Sequence, residues 1–306
     1  MNKILVIGAA GQIGTELVEK LRARRGVDQV IASDIHIKNL LTPCYELDAT
    51  DPNKVRKIVQ KEGISEVYNL VAMLSAKGEK EPQKAWDLNM KTLFIILDLA
   101  KEGKIKKIFW PSSIAVFGPS SDSAGAPQYG SMEPTTSYGI SKLAGELWCQ
   151  YYFQNYGVDI RSIRYPGLIS WRTKPGGGTT DYAIEIFHSA RRGKEFISFL
   201  GPETRLPMMY MEDAVKAAIQ LMEADSKMIK IRTSYNLAAV DFTPAELFEE
   251  IREFYPELKI SYNPDLRQNI ADSWPDSIND SHARQDWGWN HQFDFKMMVK
   301  DMVNNV

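Results

Sequence analysis

The sequence predicts an α/β fold, a doubly wound parallel sheet with a smaller C-terminal lobe, and three observations predict it. Residues 4–7 are an unbroken apolar run, as a parallel strand covered on both faces requires. Glycines at 8, 11 and 14 follow immediately. Apolar and amphipathic runs then alternate as far as residue 165, the strand–helix–strand pattern of a sheet with helices on both sides.

Taken in order, the strand at 3–7 runs through the glycines into a helix at 12–24. Gly8 turns the chain out of the strand, Gly11 lets backbone approach a pyrophosphate, and Gly14 lets the helix pack close to the sheet. With Gln12 and Ile13 between them, these residues read as a phosphate cradle whose helix N-terminus faces the anion. The next strand, 29–33, ends at Asp34, an acid placed to accept both ribose hydroxyls of an adenosine and to repel a 2′-phosphate. A Rossmann-type sheet that binds NAD rather than NADP follows.

A short strand at 45–47 leads into Asp48-Ala49-Thr50-Asp51-Pro52, a capping segment for a helix at 52–61. Strands at 66–71, 106–110 and 159–164 alternate with helices at 83–102 and 137–155. After Pro166 the regularity weakens. Pro175-Gly176-Gly177-Gly178 is a loop, Met208-Met209-Tyr210-Met211 reads as a short buried strand, and Pro202, Pro207, Pro244, Pro256, Pro264 and Pro275 punctuate the rest. The expected division is a dinucleotide-binding domain at 1–165 and a mainly substrate-binding lobe at 166–306, some of whose segments return to the sheet.

The chain has 306 residues, 44% hydrophobic and 25% charged, enough to bury a large core. A formal charge of -2 and the lack of any basic run argue against nucleic acid and for small-molecule partners. Cys44 and Cys149 stand far apart without metal-ligand spacing, and His36, His188, His282 and His291 show none either, so no metal is assigned. With no apolar stretch of membrane-spanning length and a strand beginning at residue 3, a soluble cytoplasmic protein is expected.

Tyr138-Gly139-Ile140-Ser141-Lys142 places a phenol and an ammonium four residues apart, on one helix face. A nearby cation favours phenolate, which predicts a lowered tyrosine pKa and a general base. A second Tyr–Lys pair, Tyr255 and Lys259, encloses Pro256 and lacks a helix to hold it, whereas Pro134-Thr135-Thr136-Ser137 supplies capping hydroxyls before Tyr138. Upstream, the strand ending at Trp110 runs into Pro111-Ser112-Ser113, hydroxyls at a carboxyl strand end facing the crevice.

In Gly8-x-x-Gly11-x-x-Gly14, Asp34, Asp48, Ser113, Tyr138 and Lys142, order and spacing resemble the extended short-chain dehydrogenase/reductases over most of the chain. Three segments, 111–118, 164–170 and 176–183, resemble more specifically the short-chain-type L-threonine 3-dehydrogenase family. One departure is Ser113, where many members of that family carry threonine; the hydroxyl is retained. The resemblance implies NAD-dependent oxidation of the threonine β-hydroxyl to 2-amino-3-oxobutanoate, with Ser113, Tyr138 and Lys142 catalytic. It also implies Asp48 and Ala49 near adenine, Leu70 and Ala72 lining the crevice, and Tyr165 and Leu168 beside nicotinamide. Ser75, Ser112, Thr179 and Thr180 would hold substrate, with Trp274 either closing the pocket or simply packing. Helices at 83–102 and 137–155 correspond to those that pair in the family's homodimers.

A nucleotide-sugar 4-epimerase is the alternative, since those enzymes share fold, cofactor and Ser/Tyr/Lys set. They usually carry an asparagine where this chain has Pro166-Gly167. A non-catalytic NAD sensor is the third class, which retention of all three catalytic positions disfavours.

Overall fold

The computed structural model describes residues 3–38, 40–173 and 175–306. Its first half lays down β1 (Lys3–Ile7), α1 (Gln12–Arg25), β2 (Val30–Asp34), β3 (Cys44–Glu46), α2 (Pro52–Glu62), β4 (Ile64–Asn69), α3 (Ser75–Gly78), α4 (Pro82–Lys101), β5 (Lys107–Ser113), α5 (Ser137–Tyr156) and β6 (Asp159–Tyr165). There follow β7 (Gly167–Ile169), α6 (Tyr182–Arg191), β8 (Phe196–Ser198), β9 (Leu206–Tyr210), α7 (Met211–Glu223), β10 (Tyr235–Asn236), β11 (Val240–Phe242), α8 (Pro244–Arg252), β12 (Ile260–Tyr262), α9 (Leu266–Ala271), α10 (Ser281–Trp287) and α11 (Phe295–Asn305).

Seven strands form one parallel sheet in the order β10-β6-β5-β4-β1-β2-β3. The chain works outward from β1 to β3, then returns on the other side of β1 as β4. That reversal opens a crevice at the carboxyl ends of β1 and β4, where ligands enter such sheets. One sheet face is covered by α1, α7 and α10 through Leu17, Leu21, Ala218 and Trp287. The other is covered by α2, α4 and α5 through Val55, Leu93, Leu97 and Cys149. Because both faces are dry, β1 reads as a continuous apolar run rather than an alternating one.

Local chemistry sets the helix ends. Asp51 caps α2 by accepting from Asn53 N and Lys54 N at 3.0 and 3.1 Å, with Pro52 next in line. Thr136 caps α5 by accepting from Gly139 N at 3.0 Å. The Tyr255–Lys259 pair lies outside any helix.

Residues 166–306 add a three-stranded sheet, β11-β9-β7, and a two-stranded one, β12-β8, around a separate core including Phe187, Phe196, Phe242 and Leu247. They also return β10, α7 and α10 to the large sheet. The run 208–211 expected as strand is divided: β9 ends at Tyr210 and Met211 begins α7. From Met211 the apolar positions 214, 215, 218, 219 and 222 follow the helical period, and Glu212 and Asp213 complement a helix N-terminus. Ser75 likewise starts a short helix rather than sitting in an open loop. Among the described residues no helix is long and apolar enough to cross a membrane.

Candidate active site

A cavity of about 240 Å³ opens at the carboxyl ends of β1, β4 and β5. Its wall collects Gly8, Gly11, Gln12, Ile13 and Gly14 from the first turn, and Leu70 and Ala72 after β4. Ser75, Ser112, Ser113, Tyr138, Lys142, Tyr165, Leu168, Thr179, Thr180 and Trp274 complete it. Leu74, Pro111, Ile114, Pro166, Gly167, Gly178 and Asp181 also line it; none carries a role assigned from the sequence, though all but Leu74 fall in the segments 111–118, 164–170 and 176–183. Asp34, Asp48 and Ala49 lie outside this wall.

At the dinucleotide end, Gly14 is indispensable for space: a Cβ there would sit 2.2 Å from the carbonyl oxygen of Gly8. The N-cap Gly11 has no side chain to fill the helix end, and the first turn of α1 carries no acid. Gln12, which lines this wall, has its Nε2 buried with no partner within the protein, a spare donor for a polar ligand. Asp34 sits at the tip of β2 and accepts from Ala10 N at 3.0 Å and His36 N at 3.1 Å. These features fit a dinucleotide with its pyrophosphate at the α1 N-terminus and its ribose at Asp34. Asp48 accepts from Thr50 N and Thr50 Oγ1 at 2.8 and 2.7 Å, bonds that hold its carboxyl below the usual carboxylate range.

At the other end, Gly139 decides where α5 lies. A Cβ at 139 would be 2.1 Å from the carbonyl oxygen of Ala115, so only glycine lets the helix press on the turn after β5. That contact puts Tyr138 beside Ser113, whose hydroxyl hydrogen-bonds the phenol and also accepts from Ala115 N at 3.2 Å. One turn on, Lys142 is 2% exposed. Its Nζ donates to Pro111 O at 2.5 Å and lies 4.4 Å from the Trp110 ring centroid and 5.5 Å from that of Tyr138.

The expected lowering of the tyrosine pKa is not found in this environment. Burial pushes the Tyr138 phenol up to about 12, although its bond to Ser113 acts in the opposite direction. Burial also pulls Lys142 down to about 7, with Cys149 and Glu146 opposing the change. The cause is shared: removing water penalises phenolate and ammonium alike.

Two hydroxyls of the cavity wall are already bonded within the protein. Ser112 Oγ donates its hydrogen to Glu146 Oε1 at 2.6 Å, so this serine anchors a buried carboxylate instead of donating into the cavity. Tyr165 OH donates to Ala214 O at 2.8 Å, leaving the rest of the residue to face the cavity. Glu146, four residues beyond Lys142, is gripped by Arg164 through two bonds of 2.9 and 2.7 Å. Ser75 and Thr179, 104 positions apart, meet with their hydroxyls 3.2 Å apart in a buried contact. Asp181 accepts from Gly177 N and Gly178 N at 2.8 and 2.7 Å, which holds the glycine loop over the cavity. Among the described residues no group of three or more His, Cys, Asp or Glu side chains is placed to hold a metal.

A glycine cradle at the switch point, joined in one cavity to Ser113 at the end of β5 and a tyrosine–lysine pair on α5, is the architecture of an NAD-dependent enzyme on a Rossmann sheet. The chain belongs to the NAD dependent epimerase/dehydratase family, whose model matches residues 4–238. It is similar to an L-threonine dehydrogenase from Cupriavidus necator in its holo form, at 52% identity and a TM-score of 0.97 over 99% of each chain. It is also similar to an L-threonine dehydrogenase from Phytophthora infestans, at 43% identity and a TM-score of 0.96 over 99% of this chain and 98% of that one. An uncharacterized epimerase/dehydratase of Staphylococcus saprophyticus is 46% identical over 314 residues, covering 100% of this chain and 97% of the relative.

For this enzyme, Gly14→Ala is expected to force α1 off Gly8 and weaken NADH binding by about tenfold or more. Fluorescence titration with NADH measures it; unchanged affinity would show that the close approach at 2.2 Å is irrelevant to the coenzyme.

Proposed function

We propose that the protein is an L-threonine 3-dehydrogenase that oxidises the β-hydroxyl of L-threonine to 2-amino-3-oxobutanoate. The observation that carries this reading is the buried meeting of Ser75 with Thr179 in the same small cavity as Ser113, Tyr138 and Lys142. Hydroxyl groups from two distant segments provide a polar subsite for an amino-acid head group, next to a phenol able to take a proton. Structures of L-threonine dehydrogenases at 43–52% identity over nearly the whole chain support the same substrate.

In this reading Ser113 and Tyr138 share the substrate β-hydroxyl. Tyr138 as phenolate accepts its proton, while Lys142 holds the nicotinamide ribose and favours the charged phenol. NAD, when bound, supplies the nicotinamide carbon that accepts the Cβ hydride. The glycines, Gln12, Asp34, Asp48, Ala49, Leu70, Ala72, Tyr165 and Leu168 hold the coenzyme; Ser75, Thr179, Thr180 and Trp274 position the amino acid and exclude water. The product is a β-keto acid, a class prone to lose carbon dioxide.

The test is NADH absorbance with L-threonine, L-allo-threonine and L-serine, alongside chromatography of UDP-glucose for epimerised product. Turnover of threonine is the expected result; conversion of the sugar nucleotide with no response to any amino acid would make the protein a 4-epimerase. Because burial holds the Tyr138 phenol at about 12, its base form is scarce at neutrality and grows as protons are removed. Threonine oxidation should therefore accelerate from pH 7 to pH 9 at saturating substrate, by less than the roughly tenfold per unit of a single ionisation, because Lys142, at about 7, loses its charge over the same range. A kcat that falls over that range would contradict Tyr138 as the base.

The assembly proposed is a homodimer pairing α4 and α5 of each copy. Trp86, Leu147, Trp148 and Tyr151 are exposed on these two helices, and Trp148 stands edge-on to Phe94 and Tyr151 at 4.9 and 5.4 Å. Such a patch on adjacent helices suits a second copy of itself. Leu147→Glu should shift the sedimenting species to monomer. With both cysteines free thiols, a cytoplasmic location and a part in threonine breakdown complete the reading.

A further inference from the structure

We infer that Gly167 is the positioning residue of the substrate subsite: its bare Cα is the seat on which Thr180, and with it the Thr179–Thr180 pair, closes toward Tyr138. This inference rests on the threonine-oxidising reading and identifies what sets the substrate's place within it.

Gly167 opens β7 and pairs in parallel register with Met208 of β9. Its φ lies outside the left-handed region, so no backbone strain demands glycine here. Space does. A Cβ at 167 would lie 2.6 Å from Thr180 Cγ2, 2.9 Å from Thr180 Cβ and 2.4 Å from Met208 Sδ. The Met208 thioether is fully buried but unbranched, and can repack within its core. The methyl of Thr180 has less freedom, because β-branching restricts its χ1 and neighbouring contacts hold its backbone. On one side Thr179 touches Ser75 at 3.2 Å; on the other, Thr180 O accepts from Ala183 N at 3.2 Å at the start of α6. Asp181, with its grip on Gly177 and Gly178, leaves the preceding loop little room to slide.

The loop is thus held at three points, by Ser75, by the start of α6 and by Asp181, and Thr180 rests against Gly167 as a fourth. Adding a methyl group there transmits its displacement to Thr180 first. The glycine cradle, which would carry the pyrophosphate, is on a different strand; the neighbours Tyr165 and Leu168 would meet only the nicotinamide end.

The experiment compares the wild type with Gly167→Ala, Thr180→Ser and the double variant, measuring KM for L-threonine, kcat and the Kd for NADH. Gly167→Ala is expected to raise the threonine KM about tenfold or more, with NADH affinity held within about twofold, as when a substrate contact is displaced. Thr180→Ser keeps the hydroxyl and deletes Cγ2, the nearer of the two Thr180 contacts, while Cβ stays at 2.9 Å, so against that background Gly167→Ala should lose part of its effect. An unchanged threonine KM in Gly167→Ala overturns the inference. So does joint loss of NADH binding and thermal stability, which marks a purely structural glycine, and so does equal damage in both backgrounds. If wild-type protein fails to oxidise threonine, the functional reading falls and takes this inference with it; the other three failures leave that reading standing.

Discussion

Tyr138→Phe is expected to lower kcat for threonine oxidation by about 10²- to 10⁴-fold, the usual range for loss of a positioned general base. The substitution removes one oxygen and leaves the ring. The ring's place is set by α5, which is located by the Thr136 cap and by Gly139 pressed on Ala115 O, and neither depends on the phenol. NADH affinity should stay within about threefold, since the cradle residues on α1 are untouched. The measurement is steady-state kinetics with NADH titration on the same preparation. Retention of more than about a tenth of wild-type kcat would assign the proton transfer elsewhere. Ser113 would be the group to examine next, because its hydroxyl already hydrogen-bonds the phenol.

Arg164→Leu should be the most destabilising single change, at about 3–5 kcal/mol, because it strands a buried carboxylate. Arg164 and Glu146 have side-chain exposures of 1% and 0%. The guanidinium also donates to Gln128 O and Asn236 Oδ1, both at 3.0 Å, so the cluster joins α5, β6, β10 and the loop at Gln128. Losing the guanidinium leaves Ser112, the immediate neighbour of Ser113, still donating to a carboxylate that has lost its cation. Urea unfolding followed by tryptophan fluorescence measures the cost. The double variant Arg164→Leu/Glu146→Leu removes both charges together and should recover a large part of the loss, as buried pairs replaced by apolar groups often do. A midpoint unchanged in Arg164→Leu would mean that Glu146 finds water or another cation within the fold.

Much of this architecture is written in short stretches of chain. The β1–α1 segment announces itself because a strand buried on both faces must be apolar throughout, and because the close approach at Gly14 admits no side chain. The helix bearing Tyr138 and Lys142 is equally readable, with Thr136 as its cap and a fixed four-residue offset placing both groups on one face. Four apolar residues at 208–211 fit a strand as well as a helix start, and the choice at Met211 depended on the periodicity of what came after. Ser112 and Ser113 are indistinguishable as adjacent hydroxyls. Only the alternation of β5 sends one toward Glu146 and leaves the other beside Tyr138.

The sequence by itself determined the sheet, the coenzyme cradle and the tyrosine–lysine spacing, since each depends on backbone geometry within one or two adjacent elements. Tertiary structure alone decided what lies across from them: Thr179 against Ser75, Arg164 around Glu146, Thr180 seated on Gly167. It also decided the electrostatics. A phenol and an ammonium on one helix face attract each other in any surroundings, but whether that attraction prevails depends on how much water the packed chain leaves around them. Here desolvation sets both directions, pushing the Tyr138 phenol up to about 12 and pulling Lys142 down to about 7.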